Sequence, residues 1–99
     1  MTDLKYTTTN FIVLDRLKDI TDFVNAASRF EKHKGDILLL QGKQVVEATS
    51  LLGVLSLDTS KGVIVSYPND LTEFNNFIKP LFPWDKYVLN NFLINNIPF

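Results

Sequence analysis

The chain has 99 residues, 45% of them hydrophobic and 21% charged, with a net charge of −1. That size is one domain with a single modest core. The near-neutral balance offers no basic surface for nucleic acid, and no run approaches the roughly 20 apolar residues of a membrane span. With no cysteine and one histidine, His33, disulfides and thiolate metal sites are excluded, and no metal or other cofactor is expected. Residues 1–5 lack the apolar run of a signal peptide, so a cytoplasmic location is expected.

In chain order, Phe11-Ile12-Val13-Leu14 reads as a first strand. Asp15 offers an N-cap, and Leu17, Ile20, Val24 and Ala27, widened by Phe23 and Phe30, form the apolar stripe of a helix over residues 16–30. Arg29, Lys32 and Lys34 suit the solvated C-terminal end of that helix, with Gly35 as a stop. Residues 36–40 and 43–47 predict two strands joined through Gln41-Gly42. A short helix over 50–57, a turn over 59–62 and a β-branched strand over 63–67 follow. Asp70 with Glu73 has the spacing of a capping box for a third helix running to about Ile78, which Pro80 and Pro83 end. Phe74, Phe77 and Phe82 are expected in the core.

The predicted order, β-α-β-β-α-β-α, suits an α+β fold with helices on one face of a four-stranded antiparallel sheet. Strands 11–14 and 37–40 are apolar on both parities, where a sheet with one face in water should alternate. That pattern predicts a cover on both faces. The cover would come from residues 83–99, an apolar extension in which Trp84, Val88 and Phe92, with Leu89 and Leu93 beside them, could line one side of a helix, or from a second copy in a homodimer.

The segment Glu47-Ala48-Thr49-Ser50-Leu51-Leu52-Gly53-Val54-Leu55-Ser56-Leu57 resembles the regulatory-serine segment of HPr, the phosphocarrier of the bacterial phosphoenolpyruvate sugar phosphotransferase system. The resemblance is specific there and topological over the rest of residues 10–82. It implies an open-faced β-sandwich, with residues 1–82 as an HPr-like domain and 83–99 as the extension. It also implies that Ser50 is a phosphorylation site for an HPr kinase, and that Leu51, Leu52 and Leu55 form a partner-docking patch.

The phosphate-carrying histidine of that family is missing. With Phe23-Val24 as the anchor for comparison, Arg16 falls at the histidine position, Lys18 at the arginine position and Asp19 at the proline position. A guanidinium stays protonated and is no nucleophile. Arg16 and Lys18 remain candidates for holding an anion at a helix start, although solvated surface charge explains them more simply. Asp15, Asp19 and Asp22 are likewise expected to favour the helix N-terminus in water. His33 is expected in the loop at the other end of the helix.

Ser50, with Thr49 beside it, is a natural N-cap, and a phosphate there would meet free N–H groups and the positive end of the dipole. Ser56 is a weaker modification candidate. The function expected is a non-catalytic binding or regulatory protein whose partners are phosphotransferase-system components or an HPr kinase. The alternatives are a divergent phosphocarrier and a self-assembling structural module.

Overall fold

The computed structural model describes residues 7–83. Strand β1 (Thr7–Ile12) leads to helix α1 (Leu17–Phe30), the hairpin β2 (Leu38–Gln41) and β3 (Gln44–Glu47), short helix α2 (Leu51–Leu55), strand β4 (Val63–Pro68) and helix α3 (Thr72–Ile78). Single 3-10 turns occupy Thr59–Lys61 and Lys79–Leu81. The architecture is α+β: one antiparallel sheet in the order β1-β4-β2-β3, open at both edges among the described residues.

Alternation along the strands sorts the two faces. Ile12, Leu39, Val63, Val65 and Tyr67 point inward and are fully buried. Against them pack Ile20, Phe23, Val24 and Ala27 of α1, Val54 of α2, and Phe74 and Ile78 of α3. Phe74 is the hub of an aromatic group, with ring centroids 5.2 Å from Tyr67, 5.8 Å from Phe23 and 6.4 Å from both Phe30 and Phe77. The buried Tyr67 hydroxyl is satisfied, accepting from Asn10 Nδ2 at 2.7 Å and donating to Asn75 Oδ1. Burial pushes its pKa above the ordinary tyrosine value, and the Asn10 hydrogen bond works against that shift. Phe77 and Phe82 are half-buried against the core.

Several boundaries differ from the sequence reading, each for a local reason. Helix α1 starts at Leu17 with Arg16, not Asp15, as its N-cap, because the Asp19 carboxylate reaches back to the Arg16 backbone N–H at 3.3 Å. The hairpin turn is Gly42-Lys43, with Gly42 at φ 60° and Gln41 facing Gln44, the primed-turn geometry that matches strand twist. No capping box forms at α3. The helix starts at Thr72 with Leu71 at its N-cap, because Asp70 is paired with Lys32 instead, Nζ to Oδ2 3.0 Å.

Of the two runs expected to be apolar on both parities, 11–14 is half strand and half connector, whereas 37–40 keeps Leu38, Leu39 and Leu40 in β2. Strand β1 begins at Thr7 and ends at Ile12, so Leu14 is buried as part of the link to α1. Ile37 likewise lies just before β2, where its carbonyl accepts from the Ala48 N–H at 2.9 Å. On the outer face Phe11, Ile64 and Val45 stay exposed among the described residues. Of the expected cover, residues 83–99, all but Pro83 lies outside the described residues, and with it Trp84, Val88, Leu89, Phe92 and Leu93.

Candidate functional site

After β3 ends at Glu47, the Ser50 N–H donates to the Glu47 carbonyl at 3.1 Å and turns the chain into α2. Ser50 Oγ accepts from the Gly53 N–H at 3.1 Å, and Ser56 Oγ donates to the Gly53 carbonyl at 2.6 Å. Both serines therefore cap this one-turn helix, and Ser56 sits at its C-cap rather than within it. Gly53 is the residue that fits between them: a Cβ there would come within 3.1 Å of Ser50 Oγ and 3.3 Å of Val46 Cβ.

Of the α2 side chains only Val54 is buried. Leu51, Leu52 and Leu55 are exposed, Leu52 to 82% of its surface. Leu17, read from periodicity as part of the α1 core stripe, is also exposed, at 64%. Helical side chains lean toward the N-terminus, so a residue of the first turn projects past the helix start instead of onto the layer below. No feature of the 3.6-residue pattern separates Leu17 from Ile20.

The two ends are tied together. The Leu14 N–H donates to the Thr59 carbonyl at 3.1 Å, and the buried Thr59 Oγ1 donates to the Leu14 carbonyl at 2.9 Å. The start of α1 is thus held beside the segment leaving α2. Gln41 secures that segment with three bonds: Nε2 to the Asp58 carbonyl at 2.8 Å and the Gly62 carbonyl at 3.0 Å, and Oε1 from the Asp58 N–H at 2.9 Å.

Both cations at the start of α1 already have carboxylate partners. Arg16 Nη2 lies 2.9 Å from Asp19 Oδ1, and Lys18 Nζ lies 2.7 Å from Asp22 Oδ2. The hydrogen bond to Asp19, and then its charge, hold the Arg16 pKa above the ordinary guanidinium value. An anion would have to compete with these pairs. His33 is exposed in the loop after α1, where its backbone N–H donates to Asp36 Oδ2 at 2.9 Å. The 14-residue helix separates it from Arg16 by about 20 Å.

At that far end lies a cleft of about 290 Å³, lined by Phe30, Leu71 and Phe74 and rimmed by the Lys32–Asp70 pair. The Lys32 hydrogen bond and then its charge hold the Asp70 carboxyl below its ordinary range. Among the described residues no group of three or more His, Asp or Glu is placed to hold a metal, and no helix is long and apolar enough to cross a membrane. No family model, curated protein or solved structure matches this chain.

Proposed function

We propose that this is an HPr-like binding protein that works without phosphoryl relay, docking a protein partner through Leu51, Leu52 and Leu55. The observation that carries the reading is the outward display of leucines on α2. Three of its five residues are leucines in water, an arrangement that costs solvation unless a partner covers it. The element order, the four-stranded antiparallel sheet with helices on one face, and a serine at the N-cap of the second helix all support the HPr-like part.

Ser50 is the control point in this proposal. It is exposed and adjoins the leucines, so a phosphate on Oγ would set nearly two negative charges at the edge of an uncharged patch. A partner with an apolar surface is then disfavoured, and one with arginines favoured. The partners proposed are phosphotransferase-system components and an HPr kinase. Arg16 at the position of the carrier histidine, engaged with Asp19, supports a binder over a relay.

The test is intact mass after two incubations, one with phosphoenolpyruvate and enzyme I, one with ATP and HPr kinase. The expected result is acid-stable phosphate from the second alone, lost in Ser50→Ala. Acid-labile phosphate from the first would overturn the proposal and make this a carrier with an unorthodox acceptor. No phosphate from either removes the Ser50 clause.

A further inference from the structure

Hydrogen-bond parity across the sheet identifies the backbone groups that reach its β1 edge. The two-residue turn Gly42-Lys43 makes Gln41 and Gln44 a hydrogen-bonded pair. Bonded and non-bonded pairs alternate along an antiparallel ladder. Carried through β2 and β4, that alternation turns the N–H and C=O of Thr8, Asn10 and Ile12 toward β4 and those of Thr7, Thr9 and Phe11 toward the edge. Val13, next in the outward series, has the same parity: its N–H leaves the sheet and donates to the Leu81 carbonyl at 3.0 Å. Among the described residues Thr7, Thr9 and Phe11 have no strand beside them on that side.

Edge strands are normally guarded by charge, proline or a bulge. Strand β1 has none of these: it reads Thr-Thr-Thr-Asn-Phe-Ile, and its register with β4 runs unbroken from Thr7 to Ile12. The other edge is guarded. Strand β3 is bounded by Lys43 and Glu47 and turns only Val45 and Glu47 outward, and the Glu47 carbonyl is taken by the Ser50 N–H. Nor does the Phe11 ring block β1. It lies over Gly62, where an added Cβ would meet Cζ at 2.0 Å, so it leans toward β4 and leaves the edge clear.

We infer that the β1 edge pairs with the β1 edge of a second copy, antiparallel, about a two-fold axis at Thr9. A contact of this symmetry requires the free positions to map onto themselves. They do: Thr9 faces the partner's Thr9, and Thr7 faces the partner's Phe11. Each facing pair exchanges two bonds, about six in all. Leu81 bounds the stretch, because it occupies the Val13 N–H just past Phe11.

The side chains suit the same register. A two-fold axis sets like groups face to face, so a charge at position 9 would repel its own copy. The residue there is an exposed threonine, a type that hydrogen-bonds across strands, and Phe11 opposite Thr7 is an aromatic–β-branched pair. Two four-stranded sheets then become one continuous sheet. Helix α2 packs against α1 and β3, at the opposite edge, so the exposed leucines take no part.

Sedimentation equilibrium tests the pairing. Wild type should move from the mass of one chain, 11.3 kDa, toward twice that as concentration rises. Thr9→Lys and Thr9→Glu should each stay at one chain. Their equimolar mixture should recover the dimer, because opposite charges then face each other across the axis. One-chain mass for wild type at every concentration overturns the inference and leaves the edge to another occupant. A dimer that persists in both variants also overturns it, and moves the contact to another surface. Variants that stay apart when mixed overturn the register. Hydrogen exchange on wild type needs no variant: the Thr7, Thr9 and Phe11 amides should slow about tenfold once nine-tenths of the chains are paired, while those of Thr8 and Asn10 hold their rates. Equal behaviour of the two sets counts against the pairing.

Discussion

Gly62→Ala is the most informative single perturbation of the fold. Gly62 has φ 98° and ψ 142°, close to a region that only glycine enters freely, so a side chain there costs about 1–3 kcal/mol. The backbone has little freedom to escape. Its N–H donates to the Thr59 carbonyl at 3.1 Å, and its carbonyl accepts from Gln41 Nε2 at 3.0 Å. An added Cβ would also lie 2.0 Å from Phe11 Cζ and 2.7 Å from Cε1, so the ring must swing away. Phe11 is only partly covered, and losing that cover costs about 1 kcal/mol. The expected total is about 2–4 kcal/mol, read from urea unfolding at constant m. In a Phe11→Ala background the ring contribution disappears and only the backbone strain remains, so the two changes should be non-additive by about 1 kcal/mol. A Gly62→Ala effect within about 0.5 kcal/mol of wild type, the range of an ordinary surface substitution, would refute the strain argument. Equal costs in both backgrounds would refute the steric part alone.

Gln41→Ala removes three bonds to the segment leaving α2 and should cost about 1–3 kcal/mol, with faster hydrogen exchange at the Asp58 amide as the local signature. Phe74→Ala empties the aromatic hub and should cost about 3–5 kcal/mol in chemical denaturation. Leu52→Ser, at a site 82% exposed, should leave the unfolding midpoint within about 0.5 kcal/mol of wild type while weakening partner capture, so a large stability loss would place Leu52 in the core. The folded-state pKa of Asp70 lies below its unfolded value, so its pairing with Lys32 stabilises the fold above the ordinary carboxylate value and is lost as pH falls through the depressed one. Carboxyl NMR titration of Asp70 should show that low midpoint in wild type and a higher one in Lys32→Met.

Element type and order were legible in the sequence because period and punctuation are local. The α1 stripe, the β-branched run at residues 63–67 and the hairpin glycine Gly42 each carry their structure within a few residues, although the turn falls at Gly42-Lys43 and not at Gln41-Gly42. The serine before α2 was equally legible, since an N-cap is chosen by backbone groups two or three residues on. Composition alone excluded disulfides.

The remainder depends on distant partners. Asp70 has the spacing of a cap, yet Lys32, 38 residues earlier, takes its carboxylate. Leu17 keeps the spacing of a core residue, yet in the first turn of α1 it stays 64% exposed among the described residues. Phe11 and Leu14 read as one strand, but one lies exposed on the outer face and the other is buried in a connector next to Thr59. Periodicity reports which residues share a side of an element. Which side meets protein and which meets water is decided only when the strands pair and the helices settle on one face. The exposed leucines of α2 and the apolar side chains Phe11, Ile64 and Val45 on the outer face both come from that step, because each was offered for burial by the sequence and is left outside among the described residues.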